Sequence, residues 1–314
     1  MLYPILAILG GLIVLVWSAD RFVNGAAATA KNFGMSPLLI GLTIVSFGTS
    51  APEMLVSFMA SINDSGSLAV GNAVGSNIAN IALVLGITAM IAPMPVKSGV
   101  IKKEIPLLVG ITLLAGYCLW DLTLSLSDGI ILFVGLIVCL YLFAKYQQEE
   151  EGSDDDEEIP ELTTPKAIFW LLIGLALLIA SSRLLVWGAV EIATIMGVSE
   201  LIIGLTIVAI GTSLPELAAT VASALKKQHD IALGNIVGSN IFNLGAVMAI
   251  PGLVSPISIE ADAFSRDYMA MLAVTILLVA FCLWQRPARI SRIEGGLLTA
   301  AYAGYLYLLY TVAS

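Results

Sequence analysis

The sequence has little charge and a single histidine, and these shortages exclude several classes of protein. Of the 314 residues, 12% are charged and 59% are hydrophobic, with a mean hydropathy of +0.97. A soluble domain carries about 25% charged residues, so this composition favours a chain dissolved in a bilayer. The three cysteines, Cys118, Cys139 and Cys282, all lie in apolar runs. We interpret them as small core residues rather than as a disulfide or a metal set.

The sequence also lacks the motifs of an enzyme. It contains no phosphate-binding loop, nucleotide motif or nucleophile–base pair. The only histidine, His229, falls in a predicted short cytoplasmic loop beside Lys226 and Lys227, where it cannot activate a serine in an apolar segment. We therefore expect no enzymatic activity and no cofactor, and we find no motif that implies a nucleic acid or a protein partner.

The formal net charge of −9 comes from one short stretch. Nine of the 23 acidic residues lie in Glu149–Glu161, which leaves 14 acids against 14 bases in the rest of the chain. A segment with so much charge of one sign cannot bury a core, so it is typical of a solvated linker.

Ten apolar segments are long enough to be membrane helices, and the alternating pattern of membrane strands is absent. The first segment has no basic leader or cleavage site, so we do not interpret it as a removed signal peptide. The predicted fold is an all-α polytopic membrane protein. Its predicted spans are Tyr3–Asn24, Ser36–Ser61, Leu68–Ala92, Glu104–Leu119, Ser127–Tyr146, Pro165–Ala189, Ser199–Leu225, Ile231–Val254, Arg266–Trp284 and Ile293–Val312.

Two motifs occur twice at an offset of 163 residues. Gly41–Glu53, GLTIVSFGTSAPE, returns as Gly204–Glu216, GLTIVAIGTSLPE, with ten of thirteen residues identical. Gly71–Asn80 and Gly234–Asn243 share eight of ten residues. An odd number of spans per repeat inverts the second copy, and inverted repeats with broken helices are typical of transporters. We predict a five-helix repeat in residues 1–146, an acidic linker in 147–164 and an inverted five-helix repeat in 165–314.

The basic residues predict the orientation. With ten spans, nearly all of them lie on one side of the membrane, which the positive-inside rule makes cytoplasmic. Both termini are then outside and the acidic linker is cytoplasmic. The basic residues on that side are Lys31, Lys97, Lys102, Lys103, Lys145, Lys166, Lys226, Lys227, Arg286, Arg289 and Arg292.

Each repeat places hydroxyl, amide and carboxyl groups inside its apolar spans. Thr49 and Glu53 are four residues apart and share a helix face, as do the other pairs of the set. Pro52 and Pro215 remove amide donors and disturb the preceding turn. Oxygen donors of this kind suit hard cations such as calcium, whereas soft metals require cysteine or histidine. The candidate ligands are Thr49, Ser50, Glu53, Ser76, Asn80, Thr212, Ser213, Glu216, Ser239 and Asn243.

The paired GTSxPE and GSNxxN motifs resemble the cation/calcium exchanger superfamily, particularly prokaryotic sodium/calcium exchangers, over nearly the whole chain. The resemblance implies alternating access, with Glu53 and Glu216 as central calcium and sodium ligands and the neighbouring hydroxyl residues completing the sites, partly through main-chain oxygens. It also implies that the first helix of each repeat slides as a gate. Ser46, whose repeat mate is Ala209, adds a hydroxyl that is expected to alter sodium binding or ion choice, and both positions belong to the candidate metal site. Some members carry aspartate where this chain has Asn243, so protonation there should matter less.

We expect an inner-membrane antiporter that exchanges sodium for calcium. A proton/calcium antiporter, a potassium-dependent sodium/calcium exchanger and, less favoured, a passive cation channel remain open alternatives. Other polar residues receive structural roles. Asp20 and its repeat mate Arg183 are expected near helix ends, where they anchor those ends, and Asn72 and Asn235 are expected to help packing or to line the pathway.

Overall fold

The computed structural model describes residues 2–63, 65–148, 160–197, 207, 209–284 and 287–313. Nearly all of this part is helical, with two short strand pairs. Its elements are α1 Leu2–Phe33, α2 Pro37–Thr49, α3 Ala51–Ile62, α4 Gly66–Ile91, β1 Met94–Pro95, α5 Ser98–Lys102, α6 Glu104–Leu119, β2 Thr123–Leu124, α7 Leu126–Gln148, α8 Thr164–Ile195, α9 Ala209–Thr212, α10 Leu214–Leu225, α11 His229–Val254, β3 Ile257–Ser258, α12 Ala263–Trp284, β4 Arg289–Ile290 and α13 Arg292–Ala313. Most of the predicted acidic linker and the start of the seventh predicted span lie outside the described residues.

The apolar helices confirm a polytopic helical membrane fold. In the described part, six helices are long and apolar enough to cross a membrane, and the bent pair α2–α3 makes a seventh when it is counted as one span. The count of ten spans stays a prediction. The bounds of α6 agree with the predicted span, whereas α1 continues to Phe33, nine residues beyond the predicted end.

Helices α1 and α8 pack antiparallel along glycine-lined faces. A Cβ on Gly25 would overlap the backbone nitrogen of Leu171, and one on Gly174 would lie 2.7 Å from the nitrogen of Phe22. At the other end of the pair, Gly188 faces the backbone of α1 in the same way. Helix association in lipid relies on such close contact, because burial of apolar surface between helices gains little there.

Helix α2 ends in a break at the first acidic motif. Ser50 has φ −83° and ψ 0°, and the chain turns by 44° before α3 begins at Ala51. Pro52 lies in the first turn of α3, where a missing amide donor is tolerated. Ser213, with φ −90° and ψ 5°, separates α9 from α10 in the same manner, and Pro215 follows it. The GTSxPE text therefore encodes a helix break in both halves.

The two centrally placed helices, α4 and α11, carry the second motif of each half. About four-fifths or more of their apolar windows is buried, against about a third for α1, α7, α8 and α12. Each contains a π-helical turn, Ala79–Leu85 in α4 and Asn243–Val247 in α11. Such turns widen the helix locally and are frequent at functional sites. Here they begin at or beside Asn80 and Asn243.

The strand pairs join the two halves of the chain. β1 pairs with β4 through Met94↔Ile290, and β2 pairs with β3 through Thr123↔Ser258, both antiparallel. Each pair therefore contains one strand from each half, so the halves are interlocked at both ends of the bundle. These two-residue strands lie outside the apolar helices and do not alter the helical class of the fold.

Three expectations for individual residues are wrong. Arg183 does not lie near a helix end, because α8 continues twelve residues beyond it. Asp20 does not lie near a helix end, because α1 continues thirteen residues beyond it. The helix tolerates an acidic residue there because Lys226 of α10 supplies a counter-charge 2.5 Å away. His229 does not lie in a loop but begins α11, and Gln228 precedes it as the capping residue.

Replacing Gly25 with alanine should destabilise the protein by about 1–3 kcal/mol, because the new methyl group would overlap backbone atoms of α8 that cannot rotate away. Thermal unfolding in detergent measures the effect. Gly10→Ala on the same helix is the matched control, since no atom lies within 4 Å of its added Cβ. Equal unfolding temperatures for the two variants would contradict the close packing of α1 against α8.

Candidate metal centre

Two carboxylates lie at the start of the helices that follow the breaks. Glu53 is in the first turn of α3 and Glu216 in the first turn of α10, and each is 1% exposed. The free amides at a helix N-terminus favour an anion, which offsets part of the cost of burying these acidic side chains. The helix break thus places an acidic side chain deep in the protein, and the helix N-terminus that it creates partly stabilises that side chain.

Hydroxyl groups of the first break contact the second half of the chain. Ser50 Oγ donates to Glu216 Oε1 at 3.3 Å. Thr49 Oγ1 donates to Asn235 Oδ1 at 3.1 Å and lies 3.4 Å from the Ser239 hydroxyl. Residues that are 166 to 190 positions apart in sequence therefore line one centre. The predicted convergence of the two motifs is present in this geometry.

Asn72 and Asn235 hold the backbone of the two acidic motifs. The Asn72 amide donates to the Glu53 carbonyl at 3.2 Å, and the Asn235 amide lies 3.5 Å from the Glu216 carbonyl. Asn235 also donates to Thr220 Oγ1 at 2.9 Å while it accepts from Thr49. Sequence reasoning gave these residues packing or pathway roles. Their recurrence at the start of both GNxxGSN motifs was the available signal for a closer connection to the site.

Several oxygens around this centre have no hydrogen-bond partner among the described residues. They are both carboxylate oxygens of Glu53, Glu216 Oε2, Ser213 Oγ and the side-chain oxygens of Asn80 and Asn243. A buried polar atom without a partner costs about 1–3 kcal/mol, and a charged one costs more. One bound cation would satisfy several of these oxygens together. This cluster is the observation that best fits a metal centre.

The remaining predicted residues fall into distinct surroundings. Ser76 and Ser239 are buried on α4 and α11, one turn before Asn80 and Asn243. The Ser46 hydroxyl donates to the Leu42 carbonyl at 2.7 Å, so it is engaged within its own helix. Thr212 is half-buried at the end of α9. Ala209 begins α9.

Asn77 and Asn240, which the sequence analysis did not single out, meet between the two central helices. The Asn77 amide donates to the Asn240 carbonyl at 3.3 Å, and Oδ1 of each residue is buried without a hydrogen-bond partner in the described structure. Both are the asparagine directly after the serine in GSNxxN. Their identical places in the two motifs would have pointed to them.

A cavity of about 270 Å³ lies beside this centre. It lies between α3 and α8 and is lined by residues next to both carboxylates, including Pro52, Thr212 and Pro215. Ser182 and Arg183 of α8 form part of its wall. The centre is therefore buried in the bundle but adjacent to an open space that is large enough for several water molecules.

The donor set fits a hard cation. Two carboxylates, several hydroxyls and amide oxygens match the oxygen ligands of calcium, which takes about 6–8 of them in flexible geometry. No three His, Cys, Asp or Glu side chains form a metal-binding group in the described ranges. The centre thus depends on neutral oxygens beside its two acids, and it offers no sulfur or imidazole ligands for zinc or copper.

Comparison with known proteins gives one consistent result. The family model described as sodium/calcium exchanger protein matches residues 3–145 and 166–311. Inner membrane protein YrbG of Escherichia coli is 43% identical over 96% of this chain and 94% of its own length. Sodium/calcium exchanger MaX1 of Methanosarcina acetivorans is 30% identical, with 98% of each chain covered. A solved structure of the sodium-calcium exchanger NCX_Mj, soaked with Na⁺ and Sr²⁺, superposes with a TM-score of 0.83 at 31% identity, covering 100% of this chain and 98% of that one.

Replacing Asn235 with alanine should weaken calcium binding by about ten-fold or more. The substitution leaves Thr49, Thr220 and the Glu216 carbonyl without a shared partner, and each lost buried contact is worth about 1–3 kcal/mol. Calorimetric titration of the purified protein with calcium measures the change. Asn63→Ala is the control, because that exposed side chain donates to the Met59 carbonyl at the end of α3, away from the centre. An unchanged affinity for Asn235→Ala would show that the bridge does not shape the centre.

Proposed function

Because the chain belongs to the sodium/calcium exchanger family, we propose that it exchanges sodium for calcium across the inner membrane by alternating access. The observation that carries the proposal is the cluster of unpartnered oxygens around Glu53 and Glu216. No covalent chemistry is involved. Calcium and sodium are cargo that load the same oxygens in turn, and the sodium gradient supplies the free energy that moves calcium outward.

Competition between the ions follows from the charge of the centre. Glu53 and Glu216 provide two negative charges, which one calcium ion or several sodium ions can compensate. An empty ionised pair in the low-dielectric interior is unfavourable, so the centre is expected to cross the bilayer only when it is loaded. Coupling requires that sodium and calcium load the centre alternately. Each ion can drive the conformational change because only differential binding to two conformations shifts their equilibrium.

The proposed architecture is ten membrane helices in two inverted repeats, residues 1–146 and 165–314, joined by the linker 147–164. Support comes from contacts that recur at the repeat offset. Gly11 and Gly25 of α1 correspond to Gly174 and Gly188 of α8, and the four form one close interface. The basic residues support an orientation in which both termini are outside and the acidic linker is cytoplasmic.

The rival functions differ in the driving ion. Proton/calcium exchange and potassium-dependent exchange use the same fold, and the hydroxyl groups beside each glutamate favour sodium over protons as the competing ion. A passive channel is less consistent with the site. Helices α4 and α11 bury the centre, and both carboxylates are 1% exposed, so these two side chains do not line an open pore.

Calcium uptake into proteoliposomes tests the function. Uptake should require an outward sodium gradient, should accumulate calcium above its external concentration, and should be lost in Glu53→Gln and Glu216→Gln. The control is Glu161→Gln, because that carboxylate is on the surface and its ion-pair partner is Lys31 at 3.4 Å. Uptake driven by a proton gradient would establish the rival antiporter, and uptake that only equilibrates calcium would establish a channel.

Asn243→Asp should make exchange more dependent on pH. The new carboxyl group would replace a buried amide of the centre and would be charged or neutral depending on proton concentration. At low pH the variant should resemble the parent protein, and it should diverge from the parent as the pH rises and the carboxyl group ionises. Sodium-driven uptake measured across pH 5–9 checks this. Identical pH profiles for both proteins would remove Asn243 from the ion-binding centre.

A further inference from the structure

Positions 20 and 183 are equivalent under the repeat offset but carry opposite charges. Asp20 lies on α1 and Arg183 on α8. The partner of Asp20, Lys226, has Asn63 as its own repeat mate. An ion pair between these helices can therefore form in one half of the molecule and has no counterpart in the other. This asymmetry is a property of the sequence itself.

Asp20 forms an ion pair with Lys226, and a hydrogen bond from Asn24 supports it. Lys226 Nζ lies 2.5 Å from Asp20 Oδ1, and Asn24 donates to Oδ2 at 3.2 Å. Both oxygens of the carboxylate are thus engaged. The two side chains are 43% and 28% exposed and lie at one end of an apolar groove between α1 and α10. Water screens the two charges less in such surroundings than at a fully exposed site, so the attraction between them is stronger.

Helix α1 covers the metal centre on the side of this ion pair. Ala219 of α10 is fully buried in a cluster with Leu15, Ala19 and Phe22 of α1. Ala219 is one helical turn from Glu216, so α1 covers the helix turn next to that carboxylate on the Lys226 side. To expose Ala219 and the turn beside Glu216 on this side, α1 must move away from α10.

The opposite approach is built differently. Helix α8, the repeat mate of α1, stands apart from α3, the mate of α10, and the 270 Å³ cavity occupies the space between them. Arg183 lines that cavity. Where the ion pair exists, α1 therefore packs directly on α10 beside an apolar groove of about 450 Å³, whereas at the equivalent positions Arg183 and Asn63 form no such pair and a cavity separates α8 from α3.

We propose that Asp20 and Lys226 are a positioning pair that locks α1 onto α10 and stabilises the state in which the centre is closed on the Lys226 side. In the orientation proposed above, that side is cytoplasmic, and the transport consequence rests on the proposed function. Opening the centre to the cytoplasm requires the pair to separate. The lock thus sets how often the centre faces each side of the membrane, although neither residue binds the transported ion.

The test places a reporter cysteine under α1. Ala219→Cys is labelled with a membrane-impermeant maleimide in inverted membrane vesicles, where the cytoplasmic face is accessible. The natural cysteines Cys118, Cys139 and Cys282 are buried and set the background. Asp20→Asn and Lys226→Gln, each in the reporter protein, should raise the labelling rate about two- to five-fold, the range expected for loss of one partly exposed ion pair. A rate equal to that of the reporter protein alone would overturn the lock.

Two controls separate a lock from general loosening of the fold. Lys31→Gln removes a basic residue from the same helix, where it pairs with the surface residue Glu161, and should leave labelling unchanged. The exchanged pair Asp20→Lys with Lys226→Asp should return labelling toward the reporter rate. Equal increases for Lys31→Gln, or no recovery in the exchanged pair, would contradict the proposal. Labelling needs no ion gradient. Its outcome therefore tests the ion pair independently of sodium-driven calcium uptake, which tests the proposed function.

Discussion

Two buried carboxylates and their need for a counter-charge determine the arrangement of this protein. Glu53 and Glu216 are each 1% exposed, and oxygen atoms of both have no hydrogen-bond partner in the described structure. A charge in a low-dielectric interior is stable only when dipoles, hydrogen bonds or an ion compensate it. The helix N-termini, the surrounding hydroxyls and amides, and a transported cation divide this task. The helix breaks and the π-helical turns lie close to these two carboxylates, where they place the compensating groups.

The fold meets this need by breaking helices where the bundle can absorb the break. Ser50 and Ser213 end one helix and allow the next to begin with a proline and a glutamate in its first turn. The freed backbone groups lie inside protein rather than in lipid, which is the condition for irregular backbone within a membrane. Helices α4 and α11 surround the breaks, and the glycine-lined pair α1–α8 packs outside them. The centre is therefore held by the most buried helices and covered by the most exposed ones.

The sequence predicted the parts of this arrangement that are written as repeated local text. The two GTSxPE motifs predicted both breaks, and the family and helical class were confirmed by the comparisons and the structure. It did not predict contacts that depend on how the halves meet. The bridge from Thr49 to Asn235 joins residues 186 positions apart, and neither side chain alone signals a partner. Asp20 was misplaced for the same reason, because Lys226 becomes its neighbour only after α1 has packed against α10.

Calcium titration of the purified protein at a series of sodium concentrations tests the central claim most directly. If both ions use the oxygens around Glu53 and Glu216, the apparent dissociation constant for calcium should rise steadily with sodium. Potassium at the same ionic strength should leave it nearly unchanged. Glu216→Gln should abolish the sodium dependence together with calcium binding. Calcium binding that ignores sodium, or that persists unchanged in the variant, would contradict a shared centre.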